Sequence, residues 1–290
     1  MRVTVGIPFY NSAGTLADAI RSVFAQTFQD WELLLVDDGS TDQSLAIARS
    51  VDDPRVKVIS DGVNRGLSYR LNQIVGLAQG DLIARMDADD LMHPHRLQQQ
   101  VEFLQAHPDV QVLGTATFTV SADLRITGWR SSTMDPSPRG VLRHALFIHP
   151  SVMARAQWYQ ANLYDSAYIR AEDHELWVRT SKHTQFAALP DRLLFYREGD
   201  VVNLRNYLLS ARTDRKIFRM YGPEMVGFAY TGVLLGQSWL KSLAYQVFTS
   251  LGLQHHLVRR RNAPVTESDA EEARRIIQTI QAAQVPGLQH

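Results

Sequence analysis

The chain opens by alternating short, largely apolar runs with longer segments of helical spacing. Val3–Ile7, Leu33–Val36, Val56–Ile59 and Leu82–Met86 have the length and content of buried strands. Between them, Leu16–Gln26, Gln43–Val51 and Leu67–Gln79 place apolar residues on one helical face. Strand–helix repetition with short connections predicts a parallel sheet covered on both faces. Ligands of such sheets gather beyond the carboxyl ends of the strands. There the sequence turns polar, at Pro8–Asn11, Asp37–Asp42 and Asp87–Asp90. Three segments far apart along the chain are therefore expected to line one crevice.

The pattern then changes. A helix is expected from Pro94 through Leu97, Val101 and Leu104 to His107-Pro108. Val110–Gly114, Thr117–Val120 and Leu124–Thr127 read as short strands, the last two joined as a hairpin through Ser121–Asp123, so the sheet becomes mixed near residue 110. Asp135–Pro138 reads as a loop, Ala171–Ser181 as a helix opened by acidic residues, and Phe186–Leu189 and Leu193–Tyr196 as strands. Strand patterns end at Arg205. Ser268 and Glu271 fit a capping box ahead of Ala273, Ile276, Ile277 and Ile280. The expected organisation is an α/β domain at 1–204 and a helical, basic and apolar segment at 205–290.

With 45% hydrophobic and 21% charged residues, the chain belongs with globular proteins and not with disordered ones. It has no cysteine, which excludes disulfides, zinc–thiolate sites and thiol catalysis. No signal-peptide pattern precedes the first strand, so a cytoplasmic location is expected. The formal charge is zero but unevenly spread. Residues 1–204 hold 19 Lys/Arg and 24 Asp/Glu, residues 205–261 hold 9 and 2, and residues 262–290 hold 2 and 4. An acidic body joined to a basic segment suggests that the basic part meets a separate anionic surface. From Met225 to Val258 the only charge is Lys241, yet glycine and polar residues interrupt the apolar run too often for a membrane span. One or two interfacial or buried helices are expected. A peripheral site on the cytoplasmic membrane face is the favoured reading; a helical subdomain or dimer face is the other.

Asp87, Asp89 and Asp90 concentrate negative charge just after a strand. A hard divalent cation is the simplest compensation, and Mg²⁺ or Mn²⁺ on carboxylates usually completes its shell with water and substrate phosphates. The same aspartates also suit a turn and the cap of the next helix.

Val5-Gly6-Ile7-Pro8-Phe9-Tyr10-Asn11, Ser22–Phe28, Trp31-Glu32-Leu33, Val36-Asp37-Asp38-Gly39-Ser40-Thr41-Asp42, Asn64-Arg65-Gly66, Asn72 and Met86-Asp87-Ala88-Asp89-Asp90 together resemble the family 2 glycosyltransferases. His149–Met153 and Glu172-Asp173 extend the likeness to about residue 200. The resemblance implies an α/β GT-A fold, a Rossmann-like mixed sheet with helices on both faces, followed here by the C-terminal helical segment. It implies an inverting transfer from a nucleotide-diphosphate sugar, with a UDP-sugar favoured, to a hydroxyl acceptor, glycan or lipid-linked. Carried over residue by residue, it places the nucleoside against Pro8, Tyr10 and Asp38. Asp38 would accept the imide N–H of uracil or thymine. Asp87 would approach the ribose or the metal's water shell, and Asp89 would ligate Mn²⁺ or Mg²⁺. Asp173 is the candidate base, with Glu172 the alternative. Asn64, Arg70 and His149 are further donor-site candidates, and Arg85 and Arg197 could also reach phosphate. At Tyr196–Asp200 the chain departs from many members, which have a His shortly after the Arg; Asp200 is the nearest substitute.

A sugar-phosphate nucleotidyltransferase would want a Gly-rich, basic loop after the first strand, and Pro8–Thr15 has one Gly and no basic residue. A dinucleotide oxidoreductase lacks its G-x-G-x-x-G fingerprint. A non-catalytic nucleotide-binding scaffold stays open, although Asp38, Asp89 and Asp173 are all intact. No nucleic-acid partner is expected, because the basic segment is interleaved with apolar stretches.

Overall fold

The computed structural model describes residues 1–199, 203–252 and 262–288. Four parallel strands, β1 (Val3–Phe9), β2 (Trp31–Asp37), β3 (Val56–Ser60) and β4 (Leu82–Arg85), stand in the order β3-β2-β1-β4. The sheet continues through β8 (Met153–Arg155), β6 (Val112–Val120), β9 (Phe186–Arg197) and β5 (Leu91–Met92), with β7 (Ile126–Arg130) paired to β6. It turns mixed at the antiparallel β4–β8 pair.

Strand alternation divides the core into two layers. In β2, Trp31, Leu33 and Leu35 face one cluster, shared with α1 (Leu16–Phe24) and α4 (Arg96–Ala106). Leu34 and Val36 face the other, with α3 (Leu67–Leu77). α1 earns its place through Leu16, Ala19, Ile20 and Val23, which share one face and are all buried. α2 (Ser44–Ser50) completes the expected series. Helices on both faces leave the carboxyl ends of β1, β2 and β4 as the open rim.

Departures from the sequence reading have local causes. The two short strands expected near 110–120 are one strand, β6, and the two expected near 186–196 are one strand, β9. Their pairing jumps from Thr115–Leu189 to Ala116–Arg192, so Pro190 and Asp191 bulge out of register. A proline cannot donate to the ladder, and the bulge interrupts the alternation that marks a strand. β5 and β8 are two and three residues long. α5 (Pro138–Arg143) and α6 (Ala156–Ala161) span fewer than two turns. Elements this short carry no readable period.

α7 (Glu172–Thr180) packs against α8 (Leu204–Ser250). α8 reverses at Gly227 (φ 81°, ψ 160°), a conformation essentially confined to glycine. Its arms, 204–226 and 228–250, run back along each other: Tyr207 stacks on Tyr245 at 3.6 Å, and Arg215 donates to Ser238 and Ser242. Among the described residues no helix is long and apolar enough to cross a membrane.

The last helix, α9 (Glu267–Gln281), is capped by Thr266, whose hydroxyl accepts from the Asp269 amide at 3.1 Å. The expected Ser268–Glu271 box therefore lies inside the first turn, two residues past the real cap. Ala273, Ile277 and Ile280 pack on Leu91, Phe118, Val120 and Phe195, returning the chain end to the sheet. Asp200 and Arg259–Arg261 lie outside the described residues.

Candidate active site

The β1 and β2 rim loops hold each other. Asn11, in left-handed backbone at φ 50°, accepts the Thr41 amide at 2.8 Å, and its own amide donates to Ser40. Asp42 accepts the Ala13 amide at 3.0 Å. Asp37 is buried and accepts from the Ser40 amide and the Ser60 hydroxyl. Burial works against its charge, but these hydrogen bonds hold the carboxyl below its ordinary range. Asp37 is thus a support for the turn that presents Asp38.

Asp38 stands almost buried between β2 and α3. Its Oδ1 accepts from the Arg65 amide at 2.7 Å and from Arg70 Nε at 2.9 Å, and its Oδ2 lies 3.0 Å from the Gly66 amide. Arg70 is fully buried, and its other donors reach Asp61, Val63 O and Gln73. The guanidinium therefore sits behind Asp38 and fixes it; its fork is occupied by protein groups and not turned toward a phosphate. Pro8 is buried beside this rim, Tyr10 is exposed, and Asn64 is exposed on the β3–α3 loop. Asn72 joins α3 to residue 164 through reciprocal bonds with the Tyr164 backbone at 2.8 and 2.9 Å.

Past β4, carboxylate oxygens of Asp87, Asp89 and Asp90 lie within 4.8 Å of one another. Arg85 holds Asp87 through both terminal nitrogens, at 2.6 and 3.0 Å. Arg197 donates to the Asp89 carbonyl and to Ala122 O, and its amide donates to Asp90 Oδ1. Asp90 is buried, and its Oδ2 has no hydrogen-bond partner. Burial, then Asp87 and Asp89, push the Asp90 carboxyl well above its usual range. Desolvation, though Asp89 keeps an open edge, and then Asp87 raise Asp89 in the same direction. Three crowded oxygen ligands, one of them orphaned, fit a hard divalent cation.

Two buried arginines stand under this cluster. Burial disfavours the charge of Arg85, but Asp87, Tyr164, Glu172 and Asp90 outweigh it and raise its pKa. Arg96 donates to Gln100 and to the carbonyls of Arg85 and Val152; burial pushes it down to about 9.

Glu172 and Asp173 begin α7. Arg170 and Ala171, just before them, are both in left-handed backbone, at φ 60° and 57°. Such non-glycine conformations persist only where surrounding structure enforces them, often at functional sites. Burial, then Asp173, pushes Glu172 up to about 7. Burial likewise raises Asp173. His149 joins them: carboxylate and ring atoms of the three residues lie within 4.8 Å of one another, with His149 Nδ1 3.9 Å from Glu172. Its Nε2 meets the Tyr164 hydroxyl at 2.9 Å. Burial and the Arg85 charge hold the imidazole well below its usual pKa, hence neutral.

A cleft of about 540 Å³ runs past Asn64, Arg65, Tyr69, Tyr168, Arg170 and Glu172 to Ser210. Asp38, Asp87 and Asp89 are not on its lining; Arg85 connects the acidic cluster to the Glu172 end. Sequence reading did not pick out Tyr164, Tyr168 or Ser210. None carries a motif; Tyr168 and Ser210 reach the cleft, and the buried Tyr164 reaches His149, only through the tertiary fold.

Residues 4–160 match the model of Glycosyl transferase family 2. The chain is 35% identical over 225 residues, 75% of each chain, to the putative glycosyltransferase EpsE of Bacillus subtilis (strain 168). It therefore belongs to glycosyltransferase family 2. The structure of Staphylococcus aureus TarS 1–349 in complex with UDP matches 97% of this chain and 80% of its own, with TM-score 0.62 and 18% identity. The mannosyltransferase PcManGT from Pyrobaculum calidifontis, in complex with GDP-Man and Mn²⁺, matches 97% and 85%, with TM-score 0.60 and 16% identity. These likenesses establish the GT-A fold expected from the sequence. The chain is a glycosyltransferase by family.

Proposed function

We propose an inverting, metal-assisted transfer of a sugar from a nucleoside-diphosphate donor, a UDP-sugar first, to a hydroxyl of a glycan or lipid-linked acceptor. The observation that carries the reading is the meeting, around Arg85, of a three-aspartate oxygen cluster with the Glu172–Asp173 pair. A base and a diphosphate-holding group are what a direct displacement at the anomeric carbon requires.

Asp38 receives the base edge of the nucleoside through the unshared lone pairs of its Oδ2. Uracil fits this role, and guanine, which also offers a ring N–H, is the competing base. Asp89 and Asp90, with Asp87, would hold Mg²⁺ or Mn²⁺; the ion supplies Lewis-acid charge for the departing diphosphate. Asp173 takes the acceptor hydroxyl proton as the new C–O bond forms and the bond to the nucleoside diphosphate breaks. Its raised pKa suits a general base, which works best near the operating pH. Glu172 is the alternative base, and neutral His149 holds the sugar end of the pocket. The same reading has the enzyme working in glycan or polysaccharide synthesis on the cytoplasmic side of a membrane.

The test is a thermal-shift panel of UDP, GDP, dTDP, CDP and ADP with and without Mn²⁺, on the native chain and on Asp89→Ala and Asp173→Asn. A native-state ligand raises stability as RT ln(1 + [L]/Kd). UDP should stabilise the native protein and Asp173→Asn alike, and should lose most of its metal-dependent effect in Asp89→Ala. Asp173→Asn should also lose about 10²-fold or more in turnover. Near-normal turnover in Asp173→Asn would remove it as the base, and a silent panel on folded protein would favour a non-catalytic scaffold.

A further inference from the structure

The α8 hairpin is apolar on the wrong side for a core element. Its second arm meets the first along Thr231, Leu234 and Ser242, all buried. The opposite face is bare: Phe228 is 81% exposed and Leu240 69%, and Val233, Trp239, Leu243 and Leu251 are exposed with them. Contiguous apolar surface of this kind marks an interaction site. From 228 to 252 the only charged residue is Lys241.

The first arm supplies the complementary feature. Arg205, Arg212 and Arg219 recur every seven residues, so they lie along one side of the helix, and all three are exposed. None has an ion-pair partner among the described residues. The stretch 205–261 carries 9 Lys/Arg against 2 Asp/Glu, while 1–204 carries 19 against 24. A second copy of the hairpin would bring one arginine row toward another. An anionic surface would attract this face and repel the acidic body, which orients the molecule as well as binding it.

We propose that the outer face of the hairpin docks on an anionic phospholipid bilayer, the second arm lying in the headgroup plane. At about 1.5 Å per residue that arm is about 35 Å long, and no helix among the described residues can span. Apolar side chains enter the acyl boundary, Trp239 sits at headgroup depth and the arginines meet lipid phosphate. Arg215 lies over the Trp239 ring at 4.0 Å and holds it at the edge of the face. The surface stands independently of the catalytic reading. If that reading also holds, Ser210 makes the first arm of the docked hairpin one wall of the cleft, which makes a lipid-linked acceptor the first to test.

Flotation of the full chain with vesicles tests this without any nucleotide. The native chain should float with phosphatidylcholine vesicles containing phosphatidylglycerol and not with phosphatidylcholine alone. Leu240→Glu with Leu243→Glu should reduce binding tenfold or more, and Arg212→Glu with Arg219→Glu should reduce it and flatten its salt dependence. Both pairs should keep the native Tm, since the altered side chains are exposed. Failure of the native chain to float at physiological salt overturns the proposal, as does undiminished binding by the leucine pair. A concentration-dependent dimer in sedimentation velocity that the leucine pair converts to monomer would assign the face to self-association instead.

Discussion

At the scale of single residues, the site is governed by who neutralises whom. Arg85 is a buried cation that pairs with Asp87 and whose charge also acts on Glu172, so one side chain from β4 bears on both acidic groups. His174, next to the candidate base, shows the same economy. Its Nδ1 lies 2.9 Å from Asp214 and its Nε2 2.8 Å from Val141 O, both acceptors, so the ring donates from both nitrogens as an imidazolium. Burial opposes that charge, but Asp214 and the carbonyl outweigh it and raise the pKa. A folded pKa above the unfolded one contributes stability that is complete below the unfolded value and disappears as pH rises through the folded value. His174→Gln should therefore lose about 2 kcal/mol at about pH 6 and progressively less toward about pH 9. Urea denaturation at the two pH values reads the difference directly; an equal loss at both would mean the ring is neutral.

At the scale of elements, turns decide whether the rim is preformed. Gly39 has φ 77°, and a Cβ there would meet the backbone of Val63 and Asn64 at 2.8 Å. Gly39→Ala should cost about 1–3 kcal/mol from backbone strain alone. It should also push the β3–α3 loop away from Asp38, which relies on the Arg65 and Gly66 amides of that loop. The expected result is a lower Tm together with a weaker nucleotide-induced shift; a lower Tm with an unchanged shift would separate the turn from the donor site. The strand–helix series was legible because β1 to β4 and α1 to α4 are long enough to show a period. β5, β8, α5 and α6 were not, and the Pro190 bulge split β9 into two apparent strands.

At the scale of the whole molecule, the C-terminal residues are not one kind of structure. The second arm of α8 joins the second apolar cluster through Leu234, with Tyr230 and Leu235 against it, and leaves its other face exposed, whereas α9 joins the third apolar cluster and Gln281 reaches Asp18 at 3.0 Å. Ile280 is fully buried there. Ile280→Ala should destabilise by about 2–4 kcal/mol through lost burial and the cavity left behind. Because β5, β6 and β9 share that cluster, denaturation should remain a single transition in which helix and sheet signals are lost together. An early separate loss of α9 would show that it folds as an independent appendage.

Sequence alone determined the sheet-and-helix order of the first hundred residues, the polar segments at its rim, and the membership in a transferase family. These are local properties: apolar period, turn residues and short motifs survive in one dimension. Tertiary structure decided what each charged residue does. Arg70 looked like a phosphate ligand and is instead buried behind Asp38, while Asp37, in the same motif as Asp38, spends its carboxylate on the turn. It also decided that residues 204–250 fold back at Gly227, leaving an apolar face outward. Charge and burial at a point depend on every element that converges there, and that convergence is written only in three dimensions.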